Sequence, residues 1–329
     1  MAGRDSDWEG VRLHVVTGKG GTGKTTVAAA LALALAREGK RSLLMEVEGR
    51  QGFAQLFDVP PLGYDERKVA VGPGGGDLYA LSVDAEQALL EYLEMFYRLG
   101  RAGRGLRRIG AVDFATTIAP GMRDVLLTGK VYEAVRQKRG KSRTYDAVVL
   151  DAPPTGRIAR FLGVNSEVAG LARVGPIRGQ AEAIVRLLTS PQTAVHIVTL
   201  LEEMPVQETA DAVTELAGVG LPVGGIVVNG VRAPLLKQKD LTAAARGQLD
   251  RELVASGLKA ADVGVPPSAV DALLVEAAEH AQRVALEKAE RRRLNALDRP
   301  TYDLPLLAGG VDLGGLYALA EHLCRQGMA

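Results

Sequence analysis

The clearest chemistry in the chain sits near its start, in the run Val15-Val16-Thr17-Gly18-Lys19-Gly20-Gly21-Thr22-Gly23-Lys24-Thr25-Thr26. An apolar, β-branched stretch leads into the glycines and an Ala/Leu-rich stretch follows them, so a strand, a tight loop and a helix are predicted in succession. Gly18, Gly20, Gly21 and Gly23 let the backbone turn its N–H groups inward around an anion that side chains would obstruct. The helix adds its positive N-terminus. Lys24 supplies charge for the β- and γ-phosphates of a nucleotide, and the Thr25 hydroxyl suits Mg²⁺. Thr22 and Thr26 complete a phosphate-binding loop.

A second group of residues belongs to the same chemistry. Asp151 ends the apolar run Asp146–Leu150 and precedes Ala-Pro-Pro-Thr-Gly156. A carboxylate at a strand end can bind the water shell of Mg²⁺, and Gly156 lets the turn shift when a γ-phosphate leaves.

These residues need a scaffold, and the hydrophobic pattern supplies one. Val11–Thr17, Arg41–Val47, Leu78–Val83, Asp146–Leu150, Ala194–Leu200 and Gly225–Val228 read as buried strands. Their near-continuous apolar character fits a parallel sheet covered on both faces. Thr25–Arg37 reads as a helix stopped by Gly39, and Ser268–Leu297 as a long charged helix with an apolar stripe. The alternation predicts an α/β fold, a doubly wound, mostly parallel sheet flanked by helices, as one domain over residues 1–329. Residues 86–138 form a helical insertion in that domain, longer than a crossover needs. Val71–Asp77 reads as a flexible loop. Leu316–Leu323 is modestly amphipathic and is expected to dock on its own domain.

Composition narrows the function classes. Of 329 residues, 40 are basic and 39 acidic, giving a net charge of +1 that offers no global pull on nucleic acid. Aromatic residues make up 4%, leaving few platforms for stacking bases. Asp5, Asp7 and Glu9 stand where a secretion signal would need basic and apolar residues, so a cytoplasmic location is expected. Cys324 is the one cysteine, which excludes an internal disulfide, a tetrathiolate zinc site or an iron–sulfur cluster. His14, His196, His280 and His322 show no ligand spacing and read as structural. Arg98, Arg101, Arg104, Arg107 and Arg108 form a local basic cluster, best read as a solvated face.

The second lysine of the loop, Lys19, lies five residues before Lys24, and this segment resembles the signature-lysine ATPases. The resemblance implies that Lys19 reaches the nucleotide held by another subunit. Asp151 to Gly156 resembles the mobile segment of the arsenite-pump and tail-anchored-protein-targeting ATPases, with Arg157 where that family commonly has histidine. Val227-Val228-Asn229 resembles its adenine-contacting strand end, and Leu304-Pro305-Leu306-Leu307 its late adenine-side loop. Glu202 resembles an acid near the dimer's nucleotides; a helix-start carboxylate explains it equally well. Asn229 is followed by Gly-Val-Arg, without the later aspartate that guanine-specific relatives use, which favours ATP over GTP.

Two departures matter. Glu48 stands where the family places a catalytic aspartate, and its arm is one methylene longer; a misplacement of about 1 Å can cost roughly 100-fold in rate. Cys324 alone cannot gather arsenite on several thiolates or build a paired-cysteine zinc site. The resemblance thus implies an ATP- and Mg²⁺-dependent ATPase with Lys19, Lys24, Glu48 and Asp151 as its catalytic set. It implies a homodimer, or a heterodimer with a paralogous ATPase, that couples nucleotide state to a protein client or membrane-protein partner. A regulatory subunit with weak or no hydrolysis, paired with an active paralogue, is the alternative.

Overall fold

The structure, a computed structural model, describes residues 7–49, 51–97, 121–171, 176–264 and 266–329. The arginine cluster from Arg98 to Arg108 therefore lies outside the described residues, as does the middle of the expected 86–138 insertion.

Strands β1 (Leu13–Gly18), β2 (Arg41–Glu46), β3 (Arg67–Val71) and β4 (Asp77–Ser82) come first, with helices α1 (Lys24–Leu35) and α2 (Gly52–Leu56) between them. Helices α3 (Ala85–Tyr97) and α4 (Met122–Arg136) follow, then a small hairpin of β5 (Lys138–Arg139) and β6 (Ser142–Arg143). Strand β7 (Ala147–Asp151) leads into α5 (Thr155–Leu171) and α6 (Pro176–Leu188). Next come β8 (Thr193–Thr199), α7 (Glu203–Gly218) and β9 (Val223–Val231). Three helices, α8 (Gln238–Ala245), α9 (Arg251–Ala260) and α10 (Pro267–Asn295), precede β10 (Thr301–Pro305) and α11 (Leu313–Arg325).

The large sheet runs in the order β10-β9-β8-β1-β7-β2-β4-β3. Every neighbouring pair is parallel except β3 with β4. Period-2 alternation splits its apolar residues between two cores. Val16, Leu44, Ala80 and Val198 face α1 and α11, whereas Val15, Leu43, Leu81 and Ile197 face α4, α5 and α6. Helix α1 is buried along most of its length, and its alanines let it lie close to the sheet. The C-terminal helix docks as expected: Asp312 caps it by accepting from the Gly315 N–H at 2.7 Å, and Leu316, Leu319 and Leu323 are buried. Each such leucine contributes roughly 1.5–3 kcal/mol.

The stretch read as a flexible loop is instead the tight turn of an antiparallel hairpin. Gly72 N–H donates to the Gly76 carbonyl at 2.7 Å, and a Cβ at either glycine would strike the Ala36 carbonyl at the end of α1. The glycines serve close approach. Among the described residues, no helix is long and apolar enough to cross a membrane.

Candidate functional site

The phosphate-binding loop leaves the central strand β1 and enters α1. At Gly18 (φ 154°) a side chain would collide with the Val198 carbonyl of β8. Gly23 (φ 88°) is the residue before α1 and abuts the Asn229 carboxamide, so neither position admits a Cβ. Thr22 folds the loop on itself, its hydroxyl donating to the Lys19 carbonyl at 2.9 Å. Lys24, buried at the first turn of α1, directs its ammonium to the same carbonyl at 3.5 Å. Gly20, Gly21, Thr25 and Thr26 stay accessible on the loop and the first helical turn.

Asp151 sits at the end of β7, beside β1, in register with Val16. The Thr25 hydroxyl donates to Asp151 Oδ2 at 2.7 Å, so the two residues expected to serve the metal meet directly. Burial pushes the Asp151 carboxyl from 3.8 up to about 6; Thr25 and Lys24 oppose this, and Glu46 and Glu48 reinforce it. A hydroxyl and a carboxylate are hard oxygen donors and fit Mg²⁺, which favours such ligands with water or phosphate oxygens completing the shell. Thr17 ties the turn after β7 to the loop by donating to the Pro153 carbonyl at 2.7 Å.

Glu48 lies just beyond β2, two residues past Glu46. Arg157, in the first turn of α5, stands 3.9 Å from Glu48 Oε1 and 3.9 Å from Asp124 Oδ1 in α4. Burial raises the Asp124 carboxyl, against the pull of Arg157, Arg123 and Arg160. Asp124 gave no signal in the sequence, because only the packing of α4 against α5 brings it here.

Lys19 pairs within its own chain. Its ammonium is 2.8 Å from Glu208 Oε1 in α7, and Thr155 at the start of α5 donates to Glu208 Oε2 at 3.4 Å. Glu208, six residues beyond Glu202, was not singled out by sequence.

Beside the loop lies a cleft of about 310 Å³. Gly21, Thr22, Gly23, Glu202, Asn229 and Leu306 line it, so two of the residues expected around adenine, Asn229 and Leu306, lie beside the loop. Pro305 ends β10 outside that lining, and Glu202 precedes α7 without making a side-chain cap. Asn229 spends its carboxamide locally, donating to the Thr22 carbonyl at 2.9 Å and accepting from the Gly230 N–H at 3.0 Å. It therefore sets the loop's shape as well as one wall of the cleft. Arg283, Leu286 and Glu287 of α10 form the opposite wall, which sequence reasoning missed.

A glycine loop between the central parallel strand and a helix, with a buried lysine and a strand-end aspartate on the helix threonine, defines a P-loop nucleotide hydrolase. The chain belongs to the anion-transporting ATPase family, which matches residues 11–190. It is 55% identical over 327 residues to "ATPase BagA" of Mycobacterium tuberculosis, covering 99% of this chain and 96% of that protein. The arsenical pump-driving ATPase of Acidiphilium multivorum is 28% identical over 330 residues, covering 93% of this chain and 54% of that protein. "ATPase GET3" of Kluyveromyces lactis is 28% identical over 249 residues, covering 65% of this chain and 70% of its own length. Family and relatives make the chain an ATPase.

Proposed function

We propose that the chain binds Mg–ATP at the Gly18–Thr26 loop and works as half of a dimeric switch that couples nucleotide state to a protein or membrane-protein partner. The observation that carries this is the direct meeting of Thr25 and Asp151 at 2.7 Å beside Lys24, which joins the phosphate loop to the Asp151–Gly156 segment expected to shift. In this reading Lys24 and the loop N–H groups hold the phosphates, and Thr25 and Asp151 hold Mg²⁺. Glu48 orients the attacking water, while Asn229, Glu202, Leu306 and the nearby Pro305 frame the base side. Mg²⁺, when bound, would neutralise charge on the transferring phosphoryl group. Lys19 leaves Glu208 to serve the nucleotide of a second subunit, in the cytoplasm. The longer arm of Glu48 favours a second form of this reading, a slow or regulatory subunit paired with a paralogue that bears aspartate.

Lys24→Ala should abolish Mg–ATP binding by calorimetry, and unchanged affinity refutes its role. Light scattering with a non-hydrolysable ATP analogue, on the chain alone and mixed with a paralogue, should show a dimer that Lys19→Ala weakens. A monomer in every mixture refutes the switch.

A further inference from the structure

Two cavities meet at one turn of α10. On one side is the 310 Å³ cleft beside the phosphate loop, with Arg283 on its wall. On the other is a groove of about 740 Å³ lined by Leu235, Leu253, Leu273, Leu274 and His280, and again by Arg283. His280 is only 8% exposed and faces two donors. Arg283 Nη2 lies 2.8 Å from Nδ1, and the Leu235 backbone N–H is directed at Nε2 with 3.2 Å between the nitrogens.

A neutral imidazole has one acceptor nitrogen, because its other nitrogen carries the proton. A guanidinium and a backbone N–H can only donate. His280 therefore satisfies Arg283 or Leu235 at any instant, and an imidazolium would satisfy neither. The remaining contact sets N–H against N–H.

We propose that Arg283 is a base-contacting residue of the nucleotide cleft, and that His280 makes it one half of a two-position latch. This rests on the reading of the cleft as the base site. With Arg283 on His280, the Leu235 N–H loses its acceptor and the loop after β9 is loosened. With Arg283 turned into the cleft against a purine, the ring changes tautomer and holds Leu235. A planar cation on a long arm suits the face of a base. Glu287, 3.9 Å from Arg283 Nε on the next turn of α10, restrains the arm between its two positions. Leu235 is 83% exposed on the rim of the apolar groove, so the tautomer of one ring carries nucleotide occupancy from cleft to groove.

Hydrogen exchange on the full chain, read by mass spectrometry over residues 232–237, tests this together with calorimetry. Saturating Mg–ATP should slow exchange there by roughly tenfold, the effect of regaining one hydrogen bond. Arg283→Ala should weaken ATP binding by roughly tenfold, yet slow the same exchange without nucleotide, because the competing donor is gone. His280→Leu should leave this segment exchanging fast in both states, with a melting curve confirming that the variant is folded. Exchange in nucleotide-free Arg283→Ala equal to wild type overturns the latch even where ATP binds normally. Wild-type protein that binds no ATP overturns the base contact, whereas the nucleotide-free comparison still decides the tautomer competition.

Discussion

Burial raises the Asp151 carboxyl to about 6, so at neutral pH the folded protein carries a charge that its surroundings disfavour. The unfolded chain has no such difficulty, and its aspartate titrates near the ordinary 3.8. The sign follows directly. Between about pH 4 and pH 6 the folded state holds a proton on Asp151 that the unfolded state has released, so the contribution of this group to stability falls as pH rises through that window. A shift of about two units corresponds to at most about 3 kcal/mol, fully expressed above pH 6. Asp151→Asn removes the ionisation while keeping an oxygen that accepts from the Thr25 hydroxyl. Urea unfolding without nucleotide should therefore find Asp151→Asn more stable than wild type at pH 7.5, and close to it near pH 4. Mg–ATP should then reverse the order. Ligand at 1,000 times Kd stabilises the wild type by about 4.1 kcal/mol, more than that gap of about 3 kcal/mol, and the variant, lacking the carboxylate proposed to hold Mg²⁺, should gain far less. A variant less stable than wild type at pH 7.5, or a stability gap independent of pH, refutes the reasoning.

Three further outcomes are expected. Glu48→Asp should raise ATP turnover by up to about tenfold if arm length limits the placement of water, and unchanged steady-state hydrolysis refutes this. His14 and His196 form a buried neutral pair across β1 and β8, with His14 Nδ1 and His196 Nε2 3.0 Å apart and His196 Nδ1 accepting from the Gly225 N–H at 3.1 Å. Burial lowers His14 to about 4 and His196 well below 6.5, so the unfolded chain takes up protons first as pH falls below about 6.5. Stability should then drop by at most about 1.4 kcal/mol per pH unit for each ring, and His14→Phe should flatten that slope in chemical denaturation. GTP should bind more weakly than ATP in calorimetry, and equal affinity refutes the Asn229 reading.

The sheet was legible wherever a strand is buried on both faces, because near-continuous apolar runs announce such strands. Strands β3 and β10 were not. Arg67-Lys68-Val69-Ala70-Val71 mixes charge with apolar residues as an exposed edge strand does, and Thr301–Pro305 ends in proline. The phosphate loop was legible for a related reason. Its chemistry requires glycines, lysine and threonine at fixed local spacing, so twelve consecutive residues state it. Asp124, Glu208 and Arg283 reach the site only through helix packing, and a surface acid or arginine on an amphipathic helix looks the same in sequence whichever neighbour it meets. Asn229 lies between these cases. Its resemblance to the family's adenine-contacting segment marked it, yet its bond to the Thr22 carbonyl spans 207 positions and no local pattern could reveal it.

Two residues that depart from the family pattern, Glu48 and Arg157, stand close together, and that juxtaposition explains more than either alone. Glu48 extends one methylene beyond aspartate, and Arg157, where histidine is common, extends further still and carries charge in every state. Their tips stand 3.9 Å apart, and the same guanidinium stands 3.9 Å from Asp124. Arg157 is 60% exposed and Glu48 22%, so solvent screens the contact and it adds little to stability. Its consequence is geometric. If Glu48 orients the attacking water as proposed, a carboxylate drawn toward Arg157 is drawn away from that water. Helix α5 begins at Thr155 within the segment expected to shift with the γ-phosphate, so under the proposed switch the release of Glu48 would accompany that shift. Replacing Arg157 alone with histidine should therefore free Glu48 and raise basal hydrolysis, and Glu48→Asp in that background should add to the gain. If Arg157→His instead lowers hydrolysis, the arginine serves the reacting phosphate directly and the restraint argued here is wrong.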